Sequence, residues 1–114
     1  MEFTEIYQKP GFYHNLKDFN LPTDFQSIIE KDIMRTHSPL EVRIKAEEVL
    51  KIFAVYNPYL GYCQGMNLPV AFLIEQGFKN DEAFFILKRI TESILPLNYY
   101  VNMDCVMAYL RIFF

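Results

Sequence analysis

The strongest constraint on the fold is the spacing of apolar residues between helix start and stop signals. The clearest example begins at Ser38-Pro39 and ends at Asn57-Pro58. Between these signals, apolar residues recur three or four positions apart, the period of a helix with one buried face. They are Val42, Ala46, Val49, Leu50 and Phe53. No stretch shows the sustained apolar–polar alternation of a half-buried strand, so a β-sheet is not favoured.

The start of this helix has the pattern of a capping box. In such a box the Ser38 hydroxyl accepts from the backbone N–H of Glu41, and the Glu41 carboxylate accepts from the backbone N–H of Ser38. Pro39 would stand at the first helical position, where a missing N–H is harmless. The pattern therefore predicts a helix that begins at Pro39, with Ser38 as its cap.

Similar signals divide the rest of the chain into further helices. The segment Pro69 to Glu75 is apolar nearly all round, which predicts a buried helix. The other predicted helices start at Pro22-Thr23-Asp24, at Asn80-Asp81, where the helix runs until Pro96, and near Asp104, where it continues to Phe114. The expected fold class is all-α, with about five or six helices.

Composition and charge exclude several classes of protein. The net charge is −3, and Lys and Arg form no basic cluster of the kind that binds nucleic acid or anionic lipid. The chain starts with an acidic segment that lacks the apolar core of a signal peptide. No apolar stretch is long enough to span a bilayer. We therefore expect a cytoplasmic protein with no nucleic-acid partner and no transmembrane segment.

Two short segments carry a family resemblance. The first, residues 29–36, contains the pattern I-x-x-D-x-x-R, and the second, residues 61–67, contains Y-x-Q within G-Y-C-Q-G-M-N. Either pattern alone is weak, but in this order and about thirty residues apart they are specific. Together they resemble the two catalytic signatures of the TBC family of Rab GTPase-activating proteins. The resemblance covers roughly residues 25 to 114 and includes Asn57-Pro58 and Leu95-Pro96.

The resemblance implies a mechanism and a partner. Arg35 would be an arginine finger and Gln64 a glutamine finger, both supplied in trans to the active site of a GTPase, with Asp32 and Tyr62 as their supports. The partner would be a Rab-family GTPase in its GTP form. That partner would carry the GTP and Mg²⁺, so this chain would need no cofactor or metal of its own. The protein would act in the cytoplasm, peripheral to endomembranes.

If Arg35 and Gln64 act as fingers, their positions in the fold must meet a geometric condition. Arg35 and Gln64 are 29 positions apart, yet both would have to reach one γ-phosphate. Their side-chain tips should therefore point to a common face, with Arg35 more exposed than Asp32.

The family fold has two lobes, and both signatures belong to the first. The composition is 52% hydrophobic, high for so short a chain. The last predicted helix runs into Phe113-Phe114 without a capping residue. We therefore expect residues 1–114 to be a partial domain without the second lobe, and an isolated fragment to expose a large apolar patch. Two departures from the family pattern are the absence of tryptophan and the presence of Pro69.

Other interpretations of the same residues stay open. Arg35 could be a solvated arginine at a helix end, and Gln64 a loop amide that bonds nearby backbone. The chain could be a catalytically inactive module of the TBC fold that binds a Rab as a scaffold or effector. Cys63 could be the nucleophile of a thiol hydrolase, which would need His14 or His37 within hydrogen-bond reach.

Overall fold

The computed structural model describes residues 11–17, 19–58 and 61–94. Within these ranges the chain is all-α, as predicted, and contains no strand. The elements are α1 (Phe12–Leu16), α2 (Thr23–Met34), α3 (Leu40–Tyr56), α4 (Asn67–Glu75), α5 (Asn80–Arg89) and a π-helical turn (Ile90–Ile94) that continues α5. The helix predicted from near Asp104 lies outside the described residues.

Helix α3 lies at the centre and packs against each of the other four helices. Its predicted apolar stripe is buried along its whole length, which confirms the helical interpretation of the spacing. The stripe consists of Val42, Ala46, Val49, Leu50 and Phe53. Burial of such side chains supplies the main driving force for packing.

The predicted capping box at Ser38 is wrong. Helix α3 begins at Leu40 with Pro39 as its N-cap, and no side chain caps it. The Ser38 hydroxyl instead donates to Oε1 of Glu75, at 2.5 Å, while Glu41 is exposed. The packing of α4 against α3 brings the Glu75 carboxylate to Ser38. The hydrogen bond to this charged group is stronger than the neutral bond between a hydroxyl and a backbone N–H that a cap would provide.

Helix α4 begins two residues earlier than predicted, at Asn67. Pro69 is therefore its third residue, within the first turn, where the backbone N–H has no intrahelical partner and proline is tolerated. The burial predicted for this helix is confirmed: Pro69, Val70 and Leu73 are among its buried residues. Gly77, with φ +100°, follows the helix end and reverses the chain.

A cluster of aromatic rings fixes α1 and α5 on α3. Phe84 from α5 is fully buried. Its ring centroid lies 5.4 Å from that of Tyr13, 5.6 Å from that of Tyr56 and 6.1 Å from that of Phe53. These edge-on contacts add to the burial energy of the rings. Phe85, the next residue in the chain, is buried as well.

Glu48 on α3 joins three elements through one carboxylate. Its Oε2 accepts from the hydroxyl of Tyr13 at 2.7 Å and from Nδ2 of Asn80 at 2.6 Å, and Oε1 lies 3.2 Å from Nζ of Lys17. Burial alone would raise the pKa of Glu48. The hydrogen bonds from Asn80, Tyr13 and Lys17 outweigh burial and hold the pKa below its ordinary value.

Because the hydrogen bonds hold Glu48 in its ionised form, the stability of the fold depends on pH in the acidic range. Glutamate in an unfolded chain ionises near pH ~4.3, and the folded pKa of Glu48 is lower. The contribution of Glu48 is therefore fully present above about pH 4.3 and is lost as pH falls through the folded pKa. We expect Glu48→Gln to lower the free energy of unfolding by ~1 kcal/mol at neutral pH, since the carboxylate is partly solvated.

Urea unfolding between neutral pH and about pH 3 measures this effect. The difference between wild type and Glu48→Gln should narrow as the pH falls through the titration range of Glu48. Glu41→Gln is the matched control, because Glu41 is an exposed carboxylate on the same helix. A difference that stays constant with pH would contradict the role given to the Glu48 hydrogen bonds.

Candidate functional site

The carboxylate of Asp32 connects the end of α2 with the loop before α4. Asp32 is buried, at 6% exposure. Its Oδ2 accepts from the hydroxyl of Tyr62 at 2.6 Å and from the backbone N–H of Gly65 at 3.2 Å. Its Oδ1 lies 3.8 Å from Nη1 of Arg35. One buried side chain thus contacts both segments that the sequence analysis singled out.

Arg35 lies at the C-terminal end of α2 and points into solvent. Its backbone N–H donates to the carbonyl of Asp32 at 3.1 Å, which completes the last turn. Its side chain is 69% exposed whereas that of Asp32 is 9% exposed, the order that we expected. At 3.8 Å the ion pair is long, and solvent around the guanidinium group screens it, so it contributes little to stability. The donors of the guanidinium group are therefore open to a partner.

Gln64 is exposed in the turn between Tyr62 and Gly65. The Tyr62 side chain, two residues before Gln64, and the Gly65 backbone N–H, directly after it, both donate to Asp32, so the loop is anchored on either side of Gln64. Within the described part of the chain, the Gln64 amide has no hydrogen-bond partner. The anchored loop thus displays an amide whose carbonyl and NH₂ groups make no hydrogen bond to the described residues.

Tyr62 acts as a buried hydrogen-bond donor. Burial raises the pKa of its hydroxyl, and the hydrogen bond to Asp32 raises that pKa further. The hydroxyl therefore keeps its proton at neutral pH and can donate it to the carboxylate. The aromatic ring is buried with the core, which anchors this part of the loop.

Two buried polar residues complete the site, and no role was predicted for either of them from the sequence. Nδ2 of Asn67 donates to Oγ1 of Thr36 at 2.7 Å and to the carbonyl of Asp32 at 3.3 Å. The hydroxyl of Thr36 donates to the same carbonyl at 2.8 Å. These bonds fix the start of α4 against the end of α2. Both residues lie inside the two motif segments, and that position was the only signal for them.

Gly61 allows the loop to pass close to α2. Its φ is +62°, and a Cβ atom at this position would lie 2.2 Å from Cζ of Phe25. A side chain here would meet a ring packed against the core and would also force an L-residue into the left-handed region. Glycine is therefore favoured at position 61 both by the lack of space for a side chain and by the positive φ.

We expect Gly61→Ala to destabilise the fold by ~2 kcal/mol or more, because backbone strain and displacement of the Phe25 ring add. The measurement is the midpoint of urea unfolding. Gly77→Ala is the matched control, since Gly77 also has a positive φ, of +100°, but nothing lies within 4 Å of an added Cβ. Equal losses for the two variants would mean that the contact with Phe25 contributes nothing.

The geometry around Cys63 disfavours a thiol hydrolase. Burial raises the pKa of the Cys63 thiol, whereas a nucleophilic cysteine needs a lowered pKa. Among the described residues, no hydrogen bond joins Cys63 to His14 or His37. The Cys63 backbone N–H instead contacts the sulfur of Met66 at 3.1 Å, which is a contact inside the loop.

Among the described residues, no cluster of three or more His, Cys, Asp or Glu side chains could hold a metal ion. None of the described helices is both long enough and apolar enough to cross a bilayer.

Comparisons with known proteins agree with the resemblance carried by the motifs. The family model for the Rab-GTPase-TBC domain matches residues 3–113. A TBC domain-containing protein of Schizosaccharomyces pombe is 32% identical over 112 residues, which are 88% of this chain and 14% of that protein. Human growth hormone-regulated TBC protein 1 is 31% identical over 106 residues, which are 84% of this chain and 31% of that protein.

A third similar protein is human TBC1 domain family member 2A, 40% identical over 58 residues, which are 51% of this chain and 6% of that protein. No solved structure matches this chain. The chain spans less than a third of the length of each of these three relatives. The family match nevertheless covers nearly the whole of it, and this chain belongs to the Rab-GTPase-TBC domain family.

Proposed function

We propose that this chain is part of a GTPase-activating protein for Rab-type small GTPases and supplies Arg35 and Gln64 in trans to the partner's active site. The observation that carries the proposal is the shared carboxylate of Asp32. It contacts Arg35 directly and holds the residues on both sides of Gln64. Two exposed polar side chains from distant segments therefore project from one rigid support.

Arginine suits the charge that develops during GTP hydrolysis. In the transition state, negative charge spreads over the oxygens of the transferred phosphoryl group. The guanidinium group of Arg35 offers a permanent positive charge and a planar fork of donors. An arginine finger contributes roughly 10³–10⁵ in rate, which corresponds to about 4–7 kcal/mol of transition-state stabilisation.

Glutamine suits the positioning of the water that attacks the phosphoryl group. The carbonyl of its amide accepts a hydrogen bond from the attacking water, and its NH₂ group donates to the phosphoryl oxygens. An exposed Gln64 on an anchored loop can enter a partner's active site without first losing internal hydrogen bonds. Because the loop is fixed, less conformational entropy is lost on binding.

The surface beside the fingers is suited to a protein partner. Met34 precedes Arg35 and is 77% exposed, and Leu68 follows Asn67 and is 47% exposed. Exposed apolar side chains next to polar functional groups are typical of protein interfaces. A Rab-type GTPase in its GTP form is the partner that the family suggests, and it would bring the nucleotide and Mg²⁺. The place of action would be the cytoplasmic surface of endomembranes.

Single-turnover GTP hydrolysis by a panel of purified Rab proteins tests the proposal. We expect at least one Rab to hydrolyse GTP roughly 10³-fold faster when the full-length protein is added. If no Rab responds, although one of them binds, the chain is a scaffold of the same fold. The scaffold alternative does not explain why both Arg35 and Gln64 are exposed beside one buried carboxylate.

Tyr62 is a positioning residue in this mechanism, and its replacement tests that role. Tyr62→Phe removes the hydroxyl that donates to Asp32, so the loop that carries Gln64 keeps only the Gly65 bond to that carboxylate. We expect acceleration to fall by roughly tenfold, about 1.4 kcal/mol, with a larger fall in kcat than change in KM. The measurement is Rab GTP hydrolysis as a function of Rab concentration.

Tyr56→Phe is the matched control for this substitution. The hydroxyl of Tyr56 also donates to a carboxylate, that of Glu92. Its ring packs against Phe12, Phe53 and Phe84, none of which belongs to the Asp32 site. Acceleration by this variant should match wild type. If Tyr62→Phe loses stability but keeps full acceleration, Tyr62 has a purely structural role.

A further inference from the structure

Ser38 lies in the short linker between α2 and α3, three residues after Arg35. The linker has no helical structure, and its neighbours His37 and Pro39 are exposed, as are Leu40 and Glu41 at the start of α3. Ser38 itself is partly exposed. A serine followed by proline, on an open stretch of chain, is the form that proline-directed protein kinases accept. This hydroxyl has no part in the mechanism proposed above.

Adding a negatively charged group to the Ser38 oxygen would change the contacts of this side chain. At present the hydroxyl donates to Oε1 of Glu75, at 2.5 Å. A phosphate in its place would have no proton to donate and would face the Glu75 carboxylate with a charge of about −1.5 to −2 at pH 7. Like charges at this distance repel, so the modified side chain must turn away from α4.

Two arginines lie close to Ser38, one by direct contact and one along the chain. Nε of Arg43 donates to the carbonyl of Ser38 itself, at 3.1 Å, and its other N–H groups can bond a phosphate oxygen. Arg35 is three residues upstream, within about 11 Å along even a fully extended chain. Its ion pair with Asp32 is loose, at 3.8 Å. Arginine forms short, bidentate bonds with phosphate, which are stronger than a loose surface ion pair.

We propose that Ser38 is a phosphorylation site whose modification weakens GTPase activation by drawing the guanidinium groups of Arg43 and Arg35 onto the phosphate. In this reaction the Ser38 oxygen bonds to the γ-phosphorus of ATP while the bond from that phosphorus to ADP breaks. The hydroxyl proton passes to the kinase's catalytic carboxylate. The regulatory effect rests on the proposed function, whereas the modification itself does not.

The first experiment treats the full-length protein with a proline-directed kinase and ATP, and maps phosphate by mass spectrometry. Ser38 should be modified, and Pro39→Ala should prevent that modification. The treated protein should accelerate Rab GTP hydrolysis roughly tenfold less than the untreated protein, because the phosphate competes for a finger that contributes roughly 10³–10⁵. Ser38→Ala should accelerate normally and should not respond to the kinase at this position.

The second experiment does not depend on GTPase activation. The ³¹P signal of the phosphoserine is followed against pH, which gives the phosphate's own second pKa, ordinarily about 6. Pairing with arginine should lower that pKa by roughly half a unit or more. Arg43→Ala and Arg35→Ala should each restore part of the shift.

The outcomes separate the two proposals. An untreated protein that accelerates no Rab refutes the proposed function, and the ³¹P titration then still decides whether the phosphate captures the arginines. A Ser38 that the kinase leaves unmodified refutes the site. A modified protein with full acceleration, or a phosphate pKa that neither arginine variant changes, refutes the regulatory mechanism.

Discussion

Replacing Arg35 by alanine is expected to reduce acceleration of Rab GTP hydrolysis by a factor of roughly 10³ or more. Arg35→Lys should be almost as inactive, because lysine keeps the charge but loses the planar fork of donors. Neither change should disturb folding, since the side chain is 69% exposed. We expect the free energy of unfolding to stay within ~0.5 kcal/mol of wild type.

The measurement is the single-turnover rate with a responsive Rab, together with circular dichroism as a check on helix content. Lys31→Ala is the matched control, because it removes one exposed positive charge from the same helix and should retain full acceleration. Near-complete activity of Arg35→Lys would show that a point charge suffices. Near-complete activity of Arg35→Ala would remove the finger role altogether.

Gln64→Ala should lower acceleration by roughly 10²–10³, the loss typical of removing one preorganised transition-state hydrogen-bond partner. The amide has no hydrogen-bond partner within the described part of the chain, so its loss should leave stability unchanged. Small GTPases usually carry a glutamine of their own that orients the attacking water. The same measurement with a Rab in which that glutamine is replaced provides the sharper result. That Rab should still respond to the wild-type protein, because Gln64 would orient the water in its place.

Gln76→Ala is the control for this pair of measurements, since Gln76 is an exposed glutamine at the other end of α4. Complete resistance of the glutamine-replaced Rab would show that the partner's own residue orients the water. In that case Gln64 would be a binding contact, and Gln64→Ala would change KM more than kcat.

Local patterns were sufficient to predict α2, α3, α4 and α5, but they did not predict α1 or the exact start of α4. The spacing of Val42, Ala46 and Val49 predicts the buried face of α3, because the period of a helix is a property of the backbone alone. Asn57-Pro58 and Gly77 mark helix ends for equally local reasons: proline cannot continue a helix, and glycine tolerates a positive φ. The paired motifs were also readable from the sequence, since their order and spacing are specific, and they identified the segments that carry Arg35 and Gln64.

The hydrogen-bond partners of the side chains could not be predicted from the sequence, because the two partners lie far apart along the chain. Ser38 and Glu41 have the local pattern of a capping box, yet Ser38 donates to Glu75, 37 positions away. The closeness of Gly61 to the Phe25 ring likewise depends on how the loop crosses α2. A local pattern states what a side chain can bond, and tertiary packing decides which of the possible partners it meets.

The sequence by itself determined the helical class and the family, because both rest on local patterns of residue types, and the family resemblance led to the proposal of Arg35 and Gln64 as fingers with Asp32 and Tyr62 beside them. Only the tertiary structure decided which hydrogen bonds these residues make. It brought the Asp32 carboxylate against Tyr62 and Gly65, and it gave Asn67 a role in fixing α4 to the end of α2. The physical reason is that a buried polar group must find partners wherever the packing of the helices places them.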